Sequence, residues 1–153
     1  MIHIDRASPR DFLAIAALDR VAWRDNRSPE FIPDGEHVWR IWCEHALTFV
    51  GKDDAGRVAA AILAFPCVDG IYCVHKVMVD ETYRGKGFGS KLFAALLEEL
   101  DRRGVSAFLT VDPVNESAIK LYQKWGFTTG TFVAGFYRDH EDRLVLVRKA
   151  VKK

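Results

Sequence analysis

Residues Arg84–Ser90, with the sequence RGKGFGS, combine three glycines with two basic side chains. The glycines stand at alternate positions and have no Cβ atom, so an anion can approach the backbone closely. The segment precedes an amphipathic run, so its backbone N–H groups are predicted to open a helix, where the helix dipole attracts negative charge. Arg84 and Lys86 could pair with the same anion. The chemistry that this pattern indicates is the binding of a phosphate group.

The loop fits one of three phosphate-binding patterns. A Walker A loop requires Gly-x4-Gly-Lys-Ser/Thr, which the chain does not contain. A dinucleotide loop requires G-x-G-x-x-G, but counting from Gly85 places Ser90 at the last position, and the loop follows a late strand. The pattern Arg/Gln-x-x-Gly-x-Gly/Ala is filled by Arg84, Gly87 and Gly89. On this pattern the chain resembles the GNAT superfamily of N-acetyltransferases.

The resemblance implies that the loop holds the pyrophosphate of coenzyme A. The implied cofactor-binding residues are Arg84, Gly85, Lys86, Gly87, Phe88, Gly89 and Ser90. It further implies acetyl-coenzyme A (acetyl-CoA) as the co-substrate and transfer of its acetyl group to a primary amine by direct attack. The alternative is a glycine-rich turn without a ligand. A strand, this loop and a strongly amphipathic helix in succession argue against that alternative.

A second block, Asn115–Phe127, is similar to the family's N-x-x-A-x-x-(L/F)-Y-x-x-x-G-F motif. By this resemblance Asn115 caps a helix and contacts the pantetheine arm, and Tyr122 donates a proton to the departing thiolate. A positioned phenol can act as a general acid in this way. Alternatively, Tyr122 is a core aromatic of its helix. We expect the buried side of that helix to consist of Ala118, Leu121, Tyr122 and Trp125.

A strand predicted over 71–79 is the third part of the implied site. By resemblance it splays from its neighbour near a bulge, and exposed amides at Val77, Met78 and Val79 bind the pantetheine. One of these amides would polarise the thioester carbonyl and stabilise the tetrahedral oxyanion. The alternative is that these residues only supply side chains to the core of the sheet.

His75 is the candidate for the group that takes a proton from the attacking amine. Strand alternation places Cys73, His75 and Val77 on one face, and histidine titrates in the useful range. His75 also falls where the serotonin N-acetyltransferases of the family carry one histidine of a catalytic pair, whose partner position is Cys73 here. The alternative is a buried histidine that bonds a backbone carbonyl.

Residues 136–143, FYRDHEDR, are similar to the Tyr-Tyr-x-x-x-Glu-Asp-Ala segment of protein amino-terminal acetyltransferases. There the hairpin tyrosine meets the peptide backbone, and Tyr137 keeps that place as the predicted acceptor-binding residue. Thr110, in contrast, stands where ribosomal-protein alanine acetyltransferases carry a glutamate on the next strand, and a threonine cannot serve as a base. The alternative is a charged, exposed hairpin tip with no acceptor role.

Residues 23–45 are predicted to form the other wall of the acceptor site. Aromatic and acidic side chains can hold a cationic amine, or they can form a helix core and a solvated face. The set consists of Trp23, Phe31, Trp39 and Trp42 with Asp25, Glu30, Asp34, Glu36 and Glu44. The first predicted acceptor is a protein N-terminal or peptide amine. The second is a small amine such as a polyamine, aminoglycoside or amino-acid-like compound, and the third alternative is a non-catalytic acetyl-CoA-binding module.

The elements that must position these residues follow from periodicity and turn signals. Strands are predicted over 2–6, 47–52, 57–65, 71–79, 105–111, 127–137 and 144–151, and helices from Ser8 to about Trp23 and over 35–46, 87–103 and 115–125. This order predicts a mixed α/β (α+β) fold rather than a doubly wound one. The resemblance implies a GNAT-type, mostly antiparallel central sheet of about seven strands flanked by about four helices.

The bulk composition limits the remaining possibilities. The chain has 153 residues, which predicts a single domain over 1–153, and 49 % are hydrophobic and 28 % charged. A net charge of +1 favours no nucleic acid partner. Three cysteines without metal-type spacing predict no metal site and a cytoplasmic location, and no apolar segment suggests a signal or a membrane partner. The expected partner is an amine-bearing acceptor, and a homodimer stays open.

Overall fold

The computed structural model describes residues 1–25 and 32–151, apart from the side chain of Asp25. In chain order, its strands and α-helices are β1 (His3–Arg6), α1 (Phe12–Asp25), α2 (Glu36–His45), β2 (Leu47–Lys52), β3 (Val58–Pro66), β4 (Tyr72–Val79), α3 (Phe88–Arg103), β5 (Ala107–Val111), α4 (Glu116–Lys124), β6 (Thr129–Val133) and β7 (Arg143–Arg148). The chain clusters into two compact units. The first comprises Met1–Phe65 with His75–Glu99, and the second comprises Pro66–Val74 with the chain from Leu100 onward.

In the part of the chain that the structure describes, seven strands form one sheet in the order β1-β2-β3-β4-β5-β7-β6. Among the pairings whose register is described, β4 with β5 is parallel and the other four are antiparallel. The parallel pairing involves Tyr72 and Cys73, at the start of β4. The predicted mixed, mostly antiparallel sheet of seven strands with four α-helices is therefore confirmed for the described residues.

The first unit encloses a core between its sheet and the helices α1 and α2. A turn of 3-10 helix precedes α1, and Ser8 and Asp11 cap it reciprocally, each accepting a backbone N–H of the other. The core residues are Ile15, Ala16 and Leu18 of α1, Trp39 and Cys43 of α2, and Val50, Ala61, Leu63 and Met78 of the strands. This packing fixes α1 against the strand that carries His75.

The second unit is built on the antiparallel strands β5, β7 and β6. Arg148 of β7 binds both carboxylate oxygens of Asp101, at 2.7 and 3.0 Å, and donates from Nε to the carbonyl of Trp125 at 3.1 Å. A bidentate pair of this kind fixes geometry as well as charge. These contacts hold the end of α4 against β7.

Three details of the predicted elements are wrong, and the first is that the strand predicted over 144–151 ends at Arg148. The strand predicted over 127–137 is limited to Thr129–Val133, because the chain forms turns and bends over 134–140. Leu121 is 43 % exposed rather than on the buried side of α4. Ile119 is half-buried instead. None of the helices in the described ranges is long and apolar enough to cross a bilayer.

Candidate active site

The glycine-rich loop is open at the backbone and anchored by one aromatic side chain. Gly85 and Gly87 have φ angles of +74° and +85°, and a Cβ at either position would meet no atom within 4 Å. The side chain of Phe88, in contrast, is only 2 % exposed. The Lys91 N–H donates to the Gly87 carbonyl at 3.1 Å, so α3 begins directly after Gly87 and includes Gly89 in its first turn. Open backbone amides at the start of a sixteen-residue helix fit a phosphate group.

The two basic side chains of the loop are held close to it. Arg84 donates from Nε to the carbonyl of Val79 at 3.4 Å, which ties it to the end of β4. The Lys86 ammonium lies 5.4 Å from the centre of the Tyr83 ring. Tyr83 is itself fixed, because its hydroxyl donates to Asp53 at 2.6 Å. Arg84 and Lys86 therefore lie beside the glycines, where both were predicted to pair with a bound anion.

A cavity of about 340 Å³ lies beside the end of β4. Leu18, Val21 and Ala22 of α1 line it on one side. Val77, Met78, Val79, Asp80, Glu81 and Arg84 line it on the other. The structure thus brings the three predicted amide residues and Arg84 to one cavity, and these amides lie beyond the residues at which β4 pairs with β5. The predicted bulge at this point stays a prediction.

His75 lies on the exposed face of β4, as alternation predicts, and its surroundings are aromatic. Val74 and Met78 are buried, whereas His75 and Val77 are exposed. The rings of Trp42 and Phe65 each approach the imidazole to 5.6 Å between centroids. His75 Nε2 lies 3.0 Å from Asp34 Oδ2, so the histidine bonds a carboxylate rather than a backbone carbonyl.

Cys73, the neighbour of His75 on the same face, has a thiol that stays protonated. Burial, with a smaller contribution from Cys67, raises the pKa of Cys73 to about 12. A protonated thiol cannot accept the proton of an amine. Of Cys73 and His75, His75 is therefore the one whose side chain could accept a proton.

A buried ion cluster behind His75 was missed by the sequence analysis. Asp19 of α1 is completely buried, and both of its carboxylate oxygens bind the Lys76 ammonium, at 2.7 and 2.9 Å. Asp19 also accepts the Trp39 indole N–H at 3.1 Å and the Asp34 backbone N–H at 2.7 Å. The sequence did contain a signal for this cluster. Asp19 follows the buried Ile15 by one helical turn, and Lys76 stands between the buried Val74 and Met78, so this spacing places both charged residues on inward faces.

The remaining residues of the predicted acceptor wall have mixed roles. Trp39 belongs to the core, Trp42 packs against Phe65 and His75, and Trp23 is exposed. Asp34 takes part in the ion cluster. Glu36 pairs with Arg20, and Glu44 with Arg40. The predicted positions Glu30 and Phe31 and the side chain of Asp25 lie outside the described residues.

Tyr122 lies on α4 in the second unit, half-buried against Phe127. The two rings are edge to face with centroids 6.5 Å apart. Burial raises the pKa of Tyr122 from 10.0, so the phenol is protonated at neutral pH. Asn115 begins this helix, because its side-chain oxygen accepts the Ala118 N–H at 3.2 Å. Tyr122 therefore carries a proton at neutral pH, as a general acid requires, and it also makes a packing contact with Phe127.

Tyr137 is 56 % exposed, in the turn segment between β6 and β7. Its hydroxyl lies 2.8 Å from Thr110 Oγ1, and the Arg143 guanidinium lies 5.2 Å from its ring centre. Glu141 binds Arg138 and Arg143, and Asp142 accepts the Gly135 N–H at 2.9 Å. The acidic pair in this segment therefore organises the turn, and Tyr137 lies beside Thr110.

We expect Gly51→Ala to disturb the loop through Phe88. The added Cβ would lie 2.4 Å from Phe88 Cδ1, a distance at which the buried ring must move. The free energy of unfolding should fall by about 1–3 kcal/mol, as in other overpacked cores, when measured by urea unfolding. In a Phe88→Leu background, Gly51→Ala should lower the free energy of unfolding by less than it does in wild type. An equal loss in both backgrounds would assign the effect to the backbone of β2 instead.

Comparison with known proteins identifies the family. The family model described as Acetyltransferase (GNAT) family matches residues 13–127, which is most of the chain. The chain belongs to this family. The match includes the glycine-rich loop, the end of β4 and all of α4, so the GNAT resemblance seen in the two motifs is confirmed.

Relatives within the GNAT family act on two kinds of amine. The chain is 32 % identical over 89 residues to the ribosomal protein bS18-alanine N-acetyltransferase of Escherichia coli, covering 58 % of this chain and 60 % of the relative. It is 34 % identical over 61 residues to the spermine/spermidine N(1)-acetyltransferase of Bacillus subtilis, covering 39 % and 40 %. The crystal structure of the Escherichia coli ribosomal-protein-S18-alanine N-acetyltransferase matches with a TM-score of 0.79 and 25 % identity, over 100 % of this chain and 97 % of that chain.

These comparisons establish the family and the fold without specifying an acceptor. The sequence matches span 50–60 % of the length of the ribosomal-protein relatives. Two of the solved structures with the same fold contain coenzyme A. At 20 % and 15 % identity, these two matches show that the fold is shared.

Proposed function

We propose that this protein transfers the acetyl group of acetyl-CoA to a primary amine by direct attack of the amine on the thioester. The observation that carries the proposal is the open, glycine-rich start of α3, with Arg84 and Lys86 beside it. Such a site binds the pyrophosphate through backbone N–H groups and the helix dipole. Arg84, Gly85, Lys86, Gly87, Phe88, Gly89 and Ser90 form this part of the proposed site.

The rest of the co-substrate is proposed to bind along β4 and at the start of α4. The amides of Val77, Met78 and Val79 would hold the pantetheine arm and stabilise the oxyanion. Asn115 would contact the same arm. His75 would take a proton from the acceptor ammonium, and Tyr122 would protonate the thiolate as the C–S bond breaks. This role requires a protonated phenol, and Tyr122 carries its proton at neutral pH, since burial moves its pKa upward from 10.0 rather than downward.

The proposed acceptor is a protein N-terminal or peptide amine. Its support is the exposed Tyr137, held by Thr110 and Arg143 in a turn organised by Glu141 and Asp142. The relatives named for ribosomal protein bS18 point to the same class. A small amine is the second candidate, favoured by the match to a spermine/spermidine N(1)-acetyltransferase. We further propose that residues 1–153 form a single domain and that the protein is located in the cytoplasm. A homodimer would be detected by analytical ultracentrifugation.

Release of coenzyme A thiol in the presence of different acceptors tests the function and its acceptor. Peptides with free N-termini should support turnover with kcat/KM about 100-fold above that of spermidine, because Tyr137 would bind only an acceptor with a peptide backbone. Tyr137→Phe should raise KM for the peptide and leave that for spermidine unchanged. Higher activity with spermidine would assign the small-amine reaction. Tight binding of acetyl-CoA without turnover of either class would indicate a binding module.

A further inference from the structure

The contact between His75 and Asp34 joins residues 41 positions apart in the chain. Asp34 belongs to the connection that leads into α2, and His75 belongs to β4. The imidazole side chain is 34 % exposed and the carboxylate side chain 27 % exposed. The pair is therefore accessible to solvent from one side while the rings of Trp42 and Phe65 cover another.

Asp34 is fixed from behind by the ion cluster. Its Oδ2 atom, the same oxygen that meets His75, lies 2.8 Å from the Lys76 ammonium, whose side chain is only 10 % exposed. Its backbone N–H donates to the buried Asp19. Burial raises the pKa of Asp34, but the hydrogen bonds from His75 and Lys76 outweigh burial and lower it overall. Asp34 is consequently an anion with a defined position.

Asp34 places a negative charge beside the His75 ring. Among the described residues, Asp34 shares the Lys76 ammonium with Asp19 and also lies 3.0 Å from His75 Nε2. A carboxylate in this position stabilises the imidazolium that forms when a catalytic histidine takes up a proton.

The hydrogen bond to Asp34 also selects the tautomer of His75. An ionised carboxylate only accepts hydrogen bonds, so Nε2 must carry the hydrogen and Nδ1 keeps the lone pair. Among the residues that the structure describes, none bonds to Nδ1. We propose that Asp34 positions His75 in this way, so that Nδ1 accepts the proton of the acceptor ammonium, with Lys76 and Asp19 holding Asp34 in place. This proposal rests on the proposed acetyl transfer.

The proton balance of the reaction gives each group one role. The ammonium loses one proton to His75 Nδ1, and the neutral amine forms the C–N bond with the thioester carbon. The tetrahedral intermediate collapses with loss of the second nitrogen proton, and the C–S bond breaks as Tyr122 protonates the sulfur. The second nitrogen proton returns to Tyr122 through solvent, and the proton on His75 leaves to solvent. The net products are the amide, the thiol and one proton.

The test is Asp34→Asn, an isosteric change that removes the negative charge and preserves the shape. We expect the ascending limb of the kcat/KM profile against pH to move to lower pH by about one unit, because the imidazolium loses its anionic partner. The value of kcat/KM should fall about 10- to 100-fold at pH 7, while KM for acetyl-CoA is unchanged. Asp34→Glu, which restores the charge, should return the limb to near its wild-type position.

A matched control exists in the same chain, since His3 Nε2 lies 3.1 Å from Asp54 Oδ1 in an exposed pair. Asp54→Asn should leave the activity profile unchanged. If the folded Asp34→Asn variant keeps the ascending limb at its wild-type pH, while His75→Gln abolishes that limb, the proposal is overturned. If His75→Gln leaves the limb intact as well, the assignment of His75 as base fails together with the proposal.

A measurement that needs no turnover separates the proposal from the proposed function. In an NMR titration, the midpoint for the chemical shifts of the His75 ring protons should lie at lower pH in Asp34→Asn than in wild type. In Asp54→Asn the midpoint should equal that of wild type. This result would support the pairing even if no amine on the panel were acetylated. If the His75 titration is the same in wild type and Asp34→Asn, Asp34 does not act on His75, and the proposal is overturned whether or not the protein is an acetyltransferase.

Discussion

Gly89→Glu is expected to weaken acetyl-CoA binding at least about 100-fold, a loss of at least about 2.7 kcal/mol in binding free energy. The new carboxylate would stand in the first turn of α3, where the pyrophosphate is proposed to lie, and like charges repel strongly at such a distance. Isothermal titration calorimetry with acetyl-CoA measures the effect. Circular dichroism and urea unfolding should show a native fold.

The structure makes Gly89 a better position for this test than Gly87. Gly87 has a φ angle of +85°, so any side chain there would strain the backbone, whereas a Cβ at Gly89 meets only Val79, at 4.0 Å. A glutamate in the first turn of a helix interacts favourably with its dipole, so folding should not suffer. Ala94→Glu, the same new charge at an exposed position of α3, is the matched control. Equal affinity in all three proteins would exclude the loop as the pyrophosphate site.

Tyr122→Phe should lower kcat by about 100- to 10,000-fold and leave the dissociation constant of acetyl-CoA within about twofold of wild type. The substitution removes only the phenol O–H, so the edge-to-face contact with Phe127 should persist. Without the phenol, the thiolate must leave unprotonated or take its proton from water. Steady-state release of the thiol, with calorimetry for binding, separates the two quantities.

The pH dependence gives this prediction a second readout. Burial raises the pKa of Tyr122 above 10.0. The phenol is protonated below its pKa, so the wild-type rate should not decline through loss of this proton until the pH exceeds 10. Tyr72→Phe, which removes a phenol from β4 with no proposed role, should behave as wild type. If Tyr122→Phe turns over at the wild-type rate at every pH, Tyr122 is a packing residue.

Much of the fold could be predicted because its signals are local. The apolar residues of α3 recur at helical spacing, and Leu92, Phe93, Leu96 and Leu100 are all buried. Gly104, with a φ angle of +64°, lies directly after the last turn of this helix, as expected for a C-terminal glycine. Where the local signal is weak, the prediction failed. Leu121 satisfies the spacing of α4 but is exposed, because periodicity does not specify how wide a buried face a short helix has.

The sequence by itself determined the family and indicated the loop proposed to bind an anion, since both depend on residue types at short, fixed spacing. It named Arg84, Gly87 and Gly89 without any knowledge of what packs around them. Only the tertiary structure decided what surrounds His75. Asp34 reaches it across 41 residues, and Asp19 neutralises Lys76 across 57. Such pairs form because burying a charge is costly unless a partner is buried with it, and which partner is available depends on how α1, α2 and β4 pack.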